Sequence, residues 1–187
     1  MAQEDRIRRF LWFFAKVLVA TPLCLAIWWL ALPYYARCIG AVAGVVLRAG
    51  FGFPIDSVTV EPSGILNTGT TLGFTLRGQN PALPIAQLVS NIATYAALVL
   101  ATSGVTWKRL LVIGAAGAGV LAVGHVVYLV LVFAYSSAMA ENPVLPTAIA
   151  QAFITLPFVL WIALAYWSQA DWMKGLKDAQ DSPAKAP

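Results

Sequence analysis

Three side chains in this sequence have the chemistry to act as nucleophile or base in an apolar setting: Cys24, Cys38 and the single histidine, His125. A catalytic thiol normally works with a base that takes its proton. The two cysteines lie fourteen residues apart. On one helix that separates them by about 21 Å, well beyond the span of a disulfide. Cys24, inside an apolar run, reads as a small buried side chain. Cys38 follows Arg37, whose charge favours a thiolate, but no histidine lies near it in sequence. A structural role is therefore the weightier reading of Cys38. A divergent thiol hydrolase would need Cys38 folded to within about 3–4 Å of His125.

His125 itself lies within an apolar run, with Gly114, Ala118 and Ala122 along the same helical face. Such small residues suit close helix packing. Ionisable residues at membrane depth face the bundle interior, and His125 is expected about 15 Å inside the outer end of its helix. Asn91 and Thr155 fall at comparable depths in other runs. Gln87, Asn91 and Thr94 form one polar stripe at helical spacing, and Thr147, Gln151 and Thr155 form another. The expectation is a polar seam of Asn91, His125, Gln151 and Thr155 joined by interhelical hydrogen bonds. Helix glue is the stronger reading of this seam, because a proton relay would want a carboxylate and every acidic residue lies outside the apolar runs. No phosphate loop, metal-binding cluster or Ser-His-Asp pattern is present in the sequence. One histidine cannot supply both ligands of a bis-histidine haem. No catalytic, cofactor or metal site is expected.

The elements that must position these residues follow from composition. Of 187 residues, 60% are hydrophobic and 11% charged, with a mean hydropathy of +0.77 and a pI near 9.3. Soluble domains carry about twice that charged fraction. Disorder, a disulfide scaffold, a fibrous rod and nucleic-acid binding are excluded on these grounds. Four apolar runs stand out, at 11–33, 83–103, 110–135 and 145–167. Each is long enough to cross a bilayer core of about 30 Å, and each can satisfy its backbone there only as a helix. The fold class is thus an all-α membrane protein of four transmembrane helices. Residues 34–82 form the outer loop. Ile39, Val42, Val45 and Val46 recur at helical spacing between Arg37 and Arg48, which suits an interface helix or an extension of the first span. Beyond Ile55, Val58, Val60, Ile65, Leu72, Phe74 and Leu76 alternate with polar residues, which predicts a small hairpin of two or three strands.

Orientation follows from the basic residues. Nine Lys and Arg lie on the side of the termini and the 104–109 loop, against Arg37, Arg48 and Arg77 on the other. Both termini, residues 1–10 and 168–187, are expected in the cytoplasm. Trp12, Trp107, Trp167 and Trp172 sit where interface anchors belong. The first run is too long for a signal-peptide core and no small-x-small site follows it, so it is expected to be retained. The tail, rich in Asp, Lys, Ala and Pro, is expected to be disordered past Gln180.

Several short motifs occur in a familiar order: Pro22-Leu23-Cys24, Trp28-Trp29, Asn80-Pro81, Trp107-Lys108-Arg109, Leu156-Pro157 and Leu160-Trp161. With the outer β insert, the chain resembles the exosortase H-associated membrane proteins over about residues 10 to 170. The resemblance implies a small bacterial inner-membrane protein that assists an exosortase, a membrane thiol transpeptidase or protease acting on proteins with a C-terminal sorting tail. The layout is also similar to that of the exosortases themselves. Their nucleophilic Cys follows an outer β segment, whereas here Arg77-Gly78-Gln79-Asn80-Pro81 holds none, and Val126 and Val127 occupy the positions beside His125. A non-enzymatic accessory role is the reading this implies, with an exosortase or sorting-tail protein as partner beside membrane lipids. Asn80, Pro81 and Phe74 form the candidate partner surface. A structural subunit of a larger membrane complex is the competing class.

Overall fold

The computed structural model describes residues 2–136 and 144–166. The outer loop around Glu141 and the tail after residue 166, with Trp167 and Trp172, lie outside them. The first element is one helix, α1 (Ala2–Phe51), of 50 residues, about 75 Å long. Nothing in residues 34–47 breaks it, so the expected interface helix is a continuation of the first apolar helix, the second of the two forms the pattern allowed. Two prolines, Pro22 and Pro33, lie inside it. It ends at Gly52, whose φ of 68° is the left-handed geometry that terminates helices. The Phe53 amide then donates to the Leu47 carbonyl at 3.2 Å and turns the chain back.

What returns along α1 is a three-stranded antiparallel sheet in the order β1 (Ile55–Glu61), β2 (Thr71–Leu76), β3 (Ala82–Pro84). Val58 pairs with Phe74 and Val60 with Leu72. The link from β2 to β3 is a two-residue turn, Arg77 at φ 48° and Gly78 at φ 83°. Leu76 and Gln79 exchange backbone hydrogen bonds of 2.8 and 2.9 Å across it, the tight hairpin closure whose twist matches the strands. The inner face presents Ile55, Leu72 and Phe74, buried against Ala36, Ile39, Ala43 and Leu47 of α1. Gly40 makes that approach possible. A Cβ there would sit 2.7 Å from Leu72 Cδ1 and 2.8 Å from Val58 Cγ1.

The helices that follow are a single turn, α2 (Ala86–Val89), then α3 (Asn91–Ala101), α4 (Trp107–Ala134) and α5 (Val144–Trp161), the last continued by a π-helical turn, Ile162–Tyr166. The second apolar run therefore starts as strand: residues 82–84 pair with Thr71, Leu72 and Gly73, and helix begins only at Ala86. The protein is mostly helical with a small sheet. Two helices, Phe10–Phe51 and Trp107–Ala134, are long and apolar enough to cross a membrane, while Ala86–Ala101 and Gln151–Ala165 are apolar but shorter.

Two packed regions result. One joins the sheet to α1 and to the end of α4, where Phe74 meets Phe133 edge to face at 4.6 Å. The other gathers Ile92, Tyr95 and Val99 of α3, Ile113 and Leu121 of α4, and Leu156, Leu160 and Trp161 of α5. Here the Tyr95 hydroxyl donates to the Ile113 carbonyl at 2.7 Å. A Cβ at Gly117 would overlap the Tyr95 phenol, so only glycine leaves room for it. The opposite end is tied by Lys16 Nζ donating to Ser103 Oγ at 2.8 Å, and by Trp161 Nε1 donating to Thr102 Oγ1 at 2.9 Å.

Candidate functional site

His125 projects from α4 into a fully enclosed position. Its Nδ1 is hydrogen-bonded to the Tyr35 hydroxyl of α1 at 2.7 Å. With a neutral ring and the phenol donating, the ring proton sits on Nε2. Among the described residues Nε2 is buried without a hydrogen-bond partner of ordinary geometry, although the Leu88 backbone lies close enough to interact with the ring. Aromatic neighbours hold the pair in place. Phe153 of α5 stacks on the imidazole at 5.5 Å, and Trp28 packs on Tyr35 at 4.8 Å. The sequence assigned Tyr35 to the outer loop; only the unbroken course of α1 brings it to His125.

Asn91 opens α3 and is buried. Its Nδ2 donates to the Phe153 carbonyl at 3.2 Å. That carbonyl needs an outside donor because its partner four residues on is Pro157, which has no N–H. The same arrangement recurs on α1. Pro33 leaves the Trp29 carbonyl without its helical donor, and Asn67 Nδ2 supplies one from the β1–β2 turn at 3.1 Å. The Asn91 Oδ1 atom is buried with no partner among the described residues.

Among the described residues no interhelical hydrogen bond joins the four members of the expected seam to one another. Asn91 and His125 both converge on Phe153, whereas Gln151 and Thr155 are exposed. The Thr155 hydroxyl bonds the Gln151 and Ala152 carbonyls of its own helix. Beside Asn91 a groove of about 520 Å³ runs between α3 and α5, lined on one wall by Gln87, Ser90, Asn91 and Thr94 and closed on another by Phe153 and Phe158. The polar stripe of Gln87, Asn91 and Thr94 faces this groove.

Cys38 is exposed and Cys24 half-buried, and both are free. The imidazole hydrogen bond goes to Tyr35, not to a thiol. Among the described residues no group of three His, Cys, Asp or Glu could hold a metal. The candidate partner surface is divided. Asn80 and Pro81 are exposed, but Phe74 is fully buried, because its position in β2 points it at α1 and α4. It lines an apolar cleft of about 350 Å³ together with Pro81, Leu76 and Phe133. Asn80 Oδ1 accepts from the Thr59 hydroxyl at 3.1 Å, tying the β3 side of the sheet to β1. Pro81 precedes β3 and Pro84 ends it, and neither has a backbone donor to offer.

The chain has no significant match to any family model, curated protein or solved structure. The short motifs nonetheless have local work in the fold. Trp28 braces Tyr35, the Trp29 carbonyl receives Asn67, Pro157 frees the carbonyl that Asn91 binds, and Trp161 holds Thr102.

Proposed function

We propose that the chain is a multi-pass protein of the bacterial cytoplasmic membrane, with both termini inside, and that it works as a non-enzymatic accessory subunit that holds a membrane-protein partner. The observation that carries the membrane reading is a belt of exposed apolar side chains around the helices. Leu18 is 75% exposed, Val112 68% and Ile154 68%, with Leu23, Val123 and Val159 alongside. In water a continuous belt of this kind is an aggregation liability, whereas in lipid it costs nothing. Charge gives the frame. From Lys16 to Arg37, α1 carries no charged residue, and those twenty-one steps rise about 32 Å, which matches a bilayer core. In this frame Tyr35 and His125 lie near the outer boundary, about 3 Å below Arg37. That is shallower than the sequence expectation, because α4 continues beyond the boundary to pack Phe133 on the sheet.

The accessory reading rests on what the chemically able groups do. Tyr35 and His125 bond each other across α1 and α4, Asn91 bonds α5 and Tyr95 bonds α4. Each joins helices. The groove between α3 and α5 would offer a partner span the polar side chains of Gln87, Ser90 and Thr94. By resemblance, that partner is an exosortase or the membrane span of a sorting-tail protein.

The test is a photo-cross-linking residue at Thr94 in native membranes, followed by affinity purification in mild detergent and mass spectrometry. A cross-linked exosortase or sorting-tail protein is the expected result. Recovery of respiratory or photosynthetic subunits instead would assign the chain to a larger structural complex. A chain recovered alone, without cross-links, overturns the accessory role.

A further inference from the structure

We infer that the β1–β2 turn is re-entrant: its tip, around Ile65 and Leu66, inserts into the acyl chains of the outer leaflet while the rest of the sheet stays above the membrane. The inference rests on the membrane reading above and deepens it.

Depth comes from one hydrogen bond. Asn67, at the turn, donates to the Trp29 carbonyl of α1. Trp29 is thirteen residues above Lys16 and eight below Arg37 on a continuous helix, hence about 20 Å and about 12 Å from those two charges. With the charge-free stretch of α1 filling the hydrocarbon, Asn67 lies about 10 Å below its outer edge. The strands above it agree. β1 leaves the Arg48 end of α1, where Arg48 donates to the Ile55 carbonyl at 2.8 Å. Its seven residues then run about 20 Å back toward Arg37, and Glu61 is its last charge.

Composition fits lipid and not water. Between Glu61 and Arg77 no residue is charged. Ile65, at the tip, is 84% exposed and Leu66 is also exposed, where a solvated turn would carry polar side chains. Part of the turn backbone is paired internally, which lowers the cost of placing it in hydrocarbon. Gly69 N donates to Ser63 O at 2.8 Å, Thr68 N to Ile65 O at 3.2 Å and Thr70 N to Asn67 O at 3.1 Å. The Ser63 and Thr70 hydroxyls donate to Gly69 O and Asn67 O at 2.6 and 2.7 Å. Leu66 and Asn67 hold left-handed φ values of 54° and 65°, a geometry that a leucine rarely adopts. The bond from Asn67 to Trp29 fixes it. Pro33 created the acceptor, and the turn reaches down into the membrane to fill it.

The experiment uses the full chain with Cys24→Ala and Cys38→Ala, and one new cysteine carrying an environment-sensitive fluorophore. Reconstitution is into phosphatidylethanolamine–phosphatidylglycerol vesicles containing spin-labelled acyl chains. Ile65→Cys is the probe, Thr68→Cys a second probe, Leu23→Cys the bilayer reference and Asp56→Cys the water reference. Both turn probes are expected to be quenched by the lipid spin label at least about threefold more than Asp56, and to be shielded from aqueous iodide. If Leu23 is lipid-quenched while both turn probes behave like Asp56, the turn is not in the membrane and the inference falls alone. If Leu23 itself escapes lipid quenching, the membrane reading falls and takes the inference with it.

Discussion

Asn67 and Asn91 show how single polar side chains earn a place in an apolar bundle. Each donates to a helix carbonyl that a proline four residues on has left without a donor. Asn91 and Pro157 should therefore be energetically coupled. Asn91→Ala alone is expected to cost about 1–2 kcal/mol, since a part-buried carbonyl loses its side-chain donor. Pro157→Ala returns an N–H to the Phe153 carbonyl, so the same Asn91 change should cost less in that background, with a coupling of about 1 kcal/mol. Unfolding in detergent micelles across the four variants measures it, and strict additivity would refute it. The sequence pointed to Asn91 and His125 through their depth in apolar runs. It did not pair them with Phe153 or Tyr35, because hydrogen bonds to backbone carbonyls and between distant helices leave no local spacing. Gln151 shared the helical spacing but faces outward, since periodicity defines a stripe without saying which neighbour it meets.

At the scale of elements, the sheet depends on one close approach to α1. Gly40 and Gly44 lie under Val58, Leu72 and Phe74, and the alternation of β1 and β2 turns their apolar faces onto this stripe. Gly40→Leu would force the strands away from α1. Limited proteolysis from the outer side is expected to cut residues 55–84 at least about tenfold faster, while the α3–α4–α5 contacts persist, because that core does not include the sheet. Equal cleavage of both regions would mean that sheet and bundle unfold as one unit. The alternating pattern made the strands legible. Their number was settled by pairing, since Leu83 and Pro84 read as the start of an apolar helix until β2 offers them a partner.

For the whole molecule, the charge-free stretch of α1 sets a frame that the two native cysteines can check. On the proposed membrane reading Cys24, eight residues from Lys16, would lie about 12 Å into the hydrocarbon, and Cys38 just beyond Arg37. Cys38 is exposed. A membrane-impermeant maleimide added to intact cells with a permeabilised outer envelope is expected to modify Cys38 and spare Cys24, without entry to the cytoplasm. Modification of Cys38 only after the inner membrane is breached would invert the topology, and equal labelling of both would remove the bilayer frame.

Composition and periodicity by themselves determined that the chain is built of long apolar helices with a small β element, and where along it the basic residues lie. Those properties are summed over many residues and need no partner to be read. Tertiary structure decided the rest: that α1 runs unbroken to Phe51, that residues 82–84 belong to a sheet, that Tyr35 closes on His125 and that Phe74 is core. Each of these turns on a contact between segments far apart in sequence. An N–H, a carbonyl or a ring has no preferred partner until packing brings one within about 3–4 Å.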